Sequence, residues 1–291
     1  MNTSASTPTT LISSITELSA FLSSISPSDS FYIDLEGNNL SRHGTISLIT
    51  ILIHPSRSVR IIDILTLGPS AFTTTPLEDP TIPKYLWDVR NDADALWALY
   101  NVGLAGVTDI QLLENASRIG DRKYVRGLDK CVQFDLNLGF MERERWLRTK
   151  QDVKNIMDAN IFDVRPMAPK TIQYCTNDVM HLPDLHTLYL ARMEGDWLAK
   201  AMNESAERVV EAHSPEYDPQ SDTKKLGPWG GSTESRGYSM EDMFDRWEDD
   251  IAHDDMMGYY DNDYDDDWGG TNAVDGAFDA EAFDSCWDKG S

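Results

Sequence analysis

The sequence is poor in cysteine and has too few basic residues to balance its acidic ones. Three cysteines stand at positions 131, 175 and 286 of 291 residues. Their number is odd and their spacing excludes a CxxC metal motif. We therefore expect no disulfide framework, and a reducing compartment, the cytosol or the nucleus.

Long apolar segments are also lacking. The longest nearly apolar run, Ile46–Ile53, is interrupted by Ser47 and Thr50, whereas a membrane-spanning helix needs about 20 apolar residues. Residues 1–10 contain no Lys or Arg, so the apolar residues that follow them lack the basic flank of a signal peptide. The sequence thus predicts neither a membrane span nor a secretory leader.

The acidic excess is concentrated in one part of the chain. The formal net charge is −24, and residues 214–291 contain 22 acidic and 5 basic residues, a net charge of −17. Apolar periodicity is lost in the same segment, which predicts a disordered acidic tail over 214–291. Its scattered aromatic residues would offer short segments to a protein partner. Residues 1–10, rich in Ser, Thr and Pro, are predicted to be flexible, which leaves a domain over 11–213.

The pattern within 11–213 predicts an α/β domain. An amphipathic helix over Leu11–Ile25 precedes three strands with short links, which indicate an antiparallel meander. Strands then alternate with helices, an arrangement typical of parallel additions to the same sheet. From Gly127 to Asn203 the chain is predicted to be mostly helical. The predicted strands are Ser30–Leu35, Thr45–His54, Val59–Leu65, Tyr85–Val89 and Val107–Gln111, and the helices between the later strands are Asp92–Tyr100 and Leu112–Arg118.

Several carboxylates are spaced so that their side chains can act together at one site. Asp34 and Glu36 share one face of a strand, and their mutual repulsion would be offset by a divalent cation. Asp92 stands where a short strand runs into a helix, and Tyr174 and Asp178 lie one helical turn apart. Taken singly, these residues have ordinary interpretations as solvated acids, a helix cap and a surface pair. Their combination in this order is much more specific.

Three blocks carry a family resemblance: Asp34-Leu35-Glu36-Gly37, the segment from Lys84 through Asp92 to Leu96, and Arg165-Pro166 followed by Tyr174-Cys175-Thr176-Asn177-Asp178. Together they resemble the DEDDy branch of the DEDD superfamily of 3′–5′ exonucleases, and RNase D-like proteins in particular. The resemblance covers about 200 residues, from Leu11 to Ala212.

The resemblance implies a ribonuclease H-like fold, a mixed β-sheet flanked by helices. It further implies two divalent cations, Mg²⁺ or Mn²⁺, held by four carboxylates, and a tyrosine that aligns the attacking water. Asp88 and Asp94 compete with Asp92 for one metal position, and the family spacing favours Asp92. The implied site residues are Asp34, Glu36, Asp92, Tyr174 and Asp178.

The implied activity is two-metal hydrolysis at the 3′ end of single-stranded RNA or DNA. The alternative is a catalytically silent nuclease-like fold that binds nucleic acid or a protein. Residues 118–154 contain ten basic and six acidic residues, which fits either a phosphate-binding zone or a helical surface of mixed charge. Trp87 stands where the family often has His. Arg165, before Pro166, is expected to order the helix of Tyr174. His43 follows the strand of Asp34 and Glu36 closely, and is either a substrate contact or, as turn histidines more often are, without a role.

Overall fold

A six-stranded sheet forms the centre of the computed structural model, which describes residues 9–154 and 160–230. The strands are β1 (Thr9–Ile12), β2 (Ser30–Glu36), β3 (Leu48–His54), β4 (Ser58–Asp63), β5 (Lys84–Leu86) and β6 (Val107–Asp109). Their order across the sheet is β1-β4-β3-β2-β5-β6. Strands β2, β3 and β4 form the predicted antiparallel meander. Strand β5 pairs in parallel with β2, and β6 pairs in parallel with β5, as predicted.

Nine α-helices surround this sheet within the described ranges. They are α1 (Ile15–Ser23), α2 (Ile64–Leu67), α3 (Arg90–Tyr100), α4 (Ile110–Ser117), α5 (Leu128–Phe134), α6 (Phe140–Lys154), α7 (Pro169–Met180), α8 (Leu182–Arg192) and α9 (Trp197–Ala212). Pro183 lies in the first turn of α8, where its missing amide hydrogen costs no helical hydrogen bond. Among the helices of the described ranges, none has both the length and the apolar character that crossing a membrane requires.

Hydrophobic residues cover both faces of the sheet. Alternate residues of β2 contribute to different clusters: Phe31 and Ile33 pack in one that includes residues of α1 and α3. Tyr32 packs in the other, which includes residues of α4, α7 and α8. Because strand side chains alternate between faces, the even-numbered Asp34 and Glu36 belong to the second face. The fold is therefore the predicted mixed sheet between helical layers, with its carboxylates on the α7 side.

The N-terminal prediction is wrong in detail. Residues 9–12 form β1, which pairs in parallel with β4, so the sheet takes in the last two residues of the predicted flexible segment and the start of the predicted helix. Helix α1 begins only after Ser14, whose side chain accepts a hydrogen bond from the Glu17 backbone, while the Glu17 carboxylate accepts one from the Ser14 backbone. This reciprocal cap fixes the helix start. Residues 1–8 lie outside the described residues.

The predicted boundary of the acidic tail is also wrong. Residues 214–230 pack on the domain, and contain only three acidic and two basic residues. We name them the C-terminal strap. Leu226 forms an isolated β-bridge with Tyr124, and the Trp229 ring meets the edge of Trp197 at a centroid distance of 5.5 Å. An isolated β-bridge and a single ring contact leave no periodic apolar pattern in the sequence, so the composition alone did not reveal them. The rest of the predicted tail, 231–291, lies outside the described residues.

Candidate active site

Two acidic side chains project from the end of the central strand β2. In the antiparallel pairing with β3, Asp34 lies opposite Thr50 and Glu36 opposite Leu48. The two carboxylates share a face because they are two residues apart on a strand. Glu36 is buried and Asp34 is half-buried. The strand thus presents both acids to the helix layer on that face.

Helix α7 supplies the third acid and the tyrosine. Asp178 follows Tyr174 by one turn, and both side chains are about 95% buried. One carboxylate oxygen from each of Asp34, Glu36 and Asp178 lies within 4.8 Å of the others. The structure therefore brings together residues 144 positions apart in the chain, in the arrangement that the sequence predicted.

Asp92 lies in the first turn of α3 and is buried. It is not a member of the three-carboxylate group, but the negative charge of Asp34 contributes to raising its pKa, after the larger effect of burial. The fourth predicted acid therefore lies within electrostatic reach of Asp34, on a different structural element.

The structure also separates Asp92 from its two competitors. Asp88 accepts hydrogen bonds from the Arg90 guanidinium at 2.6 and 2.8 Å, and Asp94 pairs with Arg42 at 2.6 Å. Within the described ranges, the Asp92 carboxylate forms neither a hydrogen bond nor an ion pair. Arginines thus engage the two neighbours, which supports the choice of Asp92 as a metal ligand.

Crowding of the acids changes their protonation. Burial, followed by the negative charge of Asp178, raises the pKa of Asp34 to about 7. Burial and the charge of Asp34 raise the pKa of Glu36 well above its ordinary value. Holding these groups ionised together is unfavourable unless a cation is near. Clusters of acids whose pKa values are raised in this way are typical of functional sites.

A lysine from α6 provides positive charge at this cluster. The Lys150 ammonium lies 2.8 Å from Oδ1 of Asp178, with its side chain only 14% exposed. It also lies over the rings of Trp146 and Tyr174, at 5.3 and 5.4 Å from their centroids. In the sequence, Lys150 is distinguished only as one of the ten basic residues of 118–154. Its four-residue spacing from the buried Trp146 was the available signal for an inward-facing position.

Tyr174 remains a neutral phenol in this environment. Burial raises its pKa, and the charges of Asp178 and Glu36 raise it further. Its hydroxyl is therefore suited to hydrogen bonding rather than to acting as a phenolate base.

Arg165 fixes the segment that leads into α7. Its guanidinium donates to both Asp63 carboxylate oxygens at 2.6 Å and to the Phe162 carbonyl at 2.7 Å. Two parallel charge-assisted bonds give such a pair a defined orientation. Since Asp63 ends β4, this pair joins the sheet to the approach of the helix that carries Tyr174, in agreement with the expected ordering role.

The donor set suits hard divalent cations. The converging groups are carboxylate oxygens, the ligands that Mg²⁺ and Mn²⁺ prefer, and their raised pKa values indicate that positive charge would stabilise their ionised forms. Asp34, Glu36 and Asp178 would hold a cation between them. Asp92 would supply a further oxygen ligand.

Comparison with known proteins agrees with this geometry. A sequence profile described as 3′–5′ exonuclease matches residues 9–191. The chain belongs to this 3′–5′ exonuclease family. The match spans all five predicted site residues and ends before the C-terminal strap. A search of the curated proteins gave no match.

Solved structures share the fold of this exonuclease domain. The chain is similar to Trypanosoma brucei RNase D in complex with U12 RNA, with 19% identity, coverage of 84% of this chain and 88% of that chain, and a TM-score of 0.64. It is also similar to the catalytic core of Trypanosoma brucei RRP6, with 19% identity, 72% and 54% coverage, and a TM-score of 0.56. For Escherichia coli RNase D the identity is 17%, the coverage 74% and 51%, and the TM-score 0.51. The family match thus confirms the predicted resemblance to 3′–5′ exonucleases, and these structures confirm the RNase D-like fold.

Trp87 and His43, two further residues of interest in the sequence, differ in burial. Trp87 packs against the α7-side hydrophobic cluster, and its indole nitrogen is buried without a hydrogen-bond partner among the described residues. His43 is exposed in the turn after β2. Its backbone amide donates to the Ser41 hydroxyl oxygen at 3.2 Å, and a substrate contact by its side chain stays a prediction.

The basic zone 118–154 is not one uniform surface of the exonuclease domain. Arg118 pairs with the buried Glu114, and Arg122 lies over the Trp197 ring at 4.0 Å. By contrast, Arg145 and Arg148 on α6 are exposed. Some of these cations therefore stabilise the fold, and for the exposed ones the phosphate-binding interpretation stays a prediction.

Proposed function

We propose that this protein hydrolyses phosphodiester bonds at the 3′ end of single-stranded nucleic acid, using two divalent cations, Mg²⁺ or Mn²⁺. The observation that carries the proposal is the approach of Asp34, Glu36 and Asp178 to within 4.8 Å of one another, with Tyr174 one turn before Asp178. Asp92 completes the ligand set.

Each part of the site has a role in this reaction. When bound, two such cations activate a water and stabilise the leaving 3′ oxygen in an in-line displacement. The four carboxylates hold and space them. The neutral Tyr174 hydroxyl orients the attacking water by hydrogen bonding, and Lys150 holds the Asp178 carboxylate in place through its ion pair.

RNA is the substrate class we favour. The similar Trypanosoma brucei structure was solved with U12 RNA, which supports a single-stranded RNA substrate for this chain. A preference for ribose would require a contact to the 2′-hydroxyl. Arg145 and Arg148 are exposed on α6, and their positive charges would attract the phosphate backbone. They would do so close to the site, because the same helix carries Lys150 into the acidic cluster.

The test is a cleavage assay on 5′-labelled single-stranded RNA and DNA, with Mg²⁺, Mn²⁺ or EDTA. We expect a ladder that shortens from the 3′ end, that disappears in EDTA and that is absent for Asp34→Asn. An Asp184→Asn variant is the matched control, because Asp184 is an exposed acid paired with Arg57 at the surface. Intact label in every lane together with a retarded band on a native gel would instead support the nuclease-like binding module.

A further inference from the structure

The C-terminal strap, residues 214–230, lies beyond the family match and is fixed to the domain at three places. The first is Arg42, in the turn after β2. Its guanidinium donates to the backbone carbonyls of Ala212, Ser214 and Pro215 at 2.7–3.1 Å, and it pairs with the buried Asp94 of α3. The chain leaving α9 is thus held beside both β2 and α3.

The second attachment is at the first turn of α3. The Asn91 side-chain oxygen accepts hydrogen bonds from the Lys224 ammonium at 2.6 Å and from the Tyr217 hydroxyl at 2.9 Å. On the same turn, the Arg90 guanidinium donates to the Lys224 backbone carbonyl at 2.8 Å. Asn91 directly precedes Asp92, so the strap binds the turn that carries the fourth carboxylate.

The third attachment fixes the chain on the far side of Lys224. The Val125 amide donates to the Lys225 carbonyl at 3.0 Å, and the Gly227 amide donates to the Lys123 carbonyl at 2.7 Å. Anchors therefore lie on both sides of Lys224. Because ordering such a side chain costs entropy, its placement by flanking backbone bonds makes the contact to Asn91 more favourable.

The electrostatics point in the same direction. Asp92 is surrounded by other acids, and the charges of Asp34 and Asp88 add to burial in raising its pKa, while Lys224 opposes them. At Asp178 the nearby lysine is Lys150, which forms an ion pair with the carboxylate at 2.8 Å. Each of these two buried acids therefore has a lysine nearby from an element outside the three motif blocks.

We propose that Lys224 is a positioning residue of the nuclease site: through Asn91 it fixes the first turn of α3 and thereby the placement of the Asp92 carboxylate. This inference rests on the proposed function for its catalytic consequence. Its structural part, the ordering of the first turn of α3 by the strap, can be measured without any activity. The strap would then belong to the catalytic unit rather than to a tail.

The test uses the full chain with Lys224→Met and the matched control Lys225→Met. Lys225 is the next residue, its side chain is exposed, and its replacement removes the same charge. We expect Lys224→Met to lower kcat about tenfold, a barrier change of about 1.4 kcal/mol, with KM within about twofold and melting temperature unchanged. Lys225→Met should behave as the wild type. Amide hydrogen exchange should increase at residues 90–93 only in Lys224→Met.

A double substitution tests whether the effect passes through Asn91. With Asn91→Ala already present, Lys224→Met should lower kcat no further, because the shared contact is already lost. An increase in KM with unchanged kcat would overturn the proposal and indicate a direct phosphate contact. Unchanged exchange at 90–93 would overturn it as well. If the wild type cleaves nothing, the proposed function fails, and the exchange measurement alone decides whether Lys224 orders this turn.

Discussion

The two halves of the acidic site are built in different ways. Asp34, Glu36 and Asp178 converge from a central strand and a packed helix, within 4.8 Å, inside the segment that matches the exonuclease family. Asp92 stands apart on the first turn of α3, a turn held by Lys224 of the C-terminal strap. All four acids lie within the family match. The first three are placed by elements inside that match, whereas the turn that carries Asp92 is also held by residues beyond it.

The comparison shows how a protein tolerates four acids at one site. In each half, a lysine from elsewhere in the chain lies near the buried carboxylates, Lys150 from α6 and Lys224 from the strap. A lysine so placed reduces the repulsion between carboxylates. It does not replace the requirement of the proposed chemistry for divalent cations.

The largest expected effect tests whether both halves serve one reaction. Asp92→Asn should lower activity at least about a thousandfold, roughly 4 kcal/mol in the barrier, as should Asp34→Asn in the other half. Loss of one ligand oxygen charge in either half would disturb the same pair of cations. The measurement is kcat/KM on labelled RNA, with Asp184→Asn as control. Substantial activity in Asp92→Asn but not in Asp34→Asn would mean that the reaction does not require Asp92.

A second prediction concerns stability in the first half. Lys150→Met should destabilise the protein in EDTA at pH 8 by about 3 kcal/mol, because removing one member of a buried ion pair leaves the other charge uncompensated. The loss should shrink when Mg²⁺ is added. The measurement is denaturant unfolding. Lys170→Met is the control, since its pair with Asp152 is exposed and should contribute less than about 1 kcal/mol. Equal losses in the two variants would contradict the assigned counter-charge.

The third prediction is a pH dependence with a definite sign. The pKa of Asp34 is raised to about 7, so between about pH 4 and pH 7 this carboxyl binds more protons in the folded protein than in the unfolded chain. Stability in EDTA should therefore fall as pH rises through this range. Cations favour the ionised carboxylates, so the gain in melting temperature on adding Mg²⁺ should grow with pH. Asp34→Asn should flatten both trends, and a gain independent of pH would argue against metal binding at Asp34.

The smallest expected effect separates the strap from the rest of the acidic segment. Residues 231–291 contain 19 acidic and 3 basic residues. We expect a chain ending at Gly230 to keep its melting temperature and, because fewer negative charges repel a polyanion, to bind RNA a few-fold more tightly at low salt. The measurement is fluorescence anisotropy with Asp34→Asn protein.

A chain ending at His213 is the informative comparison for this truncation. It also lacks the strap, so it should lose stability and exchange protection at the start of α3. Equal behaviour of the two truncated chains would mean that the strap contributes nothing to the domain.

Much of the fold followed from local patterns. The apolar and β-branched runs predicted β2, β3 and β4 as a meander, because such residues favour a pleated, half-buried surface. The two-residue spacing of Asp34 and Glu36 and the four-residue spacing of Tyr174 and Asp178 placed each pair on one face. These are short-range relations, and the backbone geometry of strand and helix determines them.

Other features depended on contacts between distant residues. β1 is a strand because it pairs with β4, although Leu11–Ile25 has helical periodicity. The family spacing already favoured Asp92 over Asp88 and Asp94, but only the tertiary structure revealed that Arg90 pairs with Asp88 and Arg42 with Asp94.

The sequence by itself determined which carboxylates share a face, because the two-residue spacing on a strand and the four-residue spacing on a helix are local properties of the chain. Only the tertiary structure decided what surrounds those groups. Lys150 reaches Asp178 across 28 positions and Lys224 reaches Asn91 across 133, and no local pattern encodes which surface lysine will be buried by such packing. The charge balance of the site is therefore a property of the whole fold.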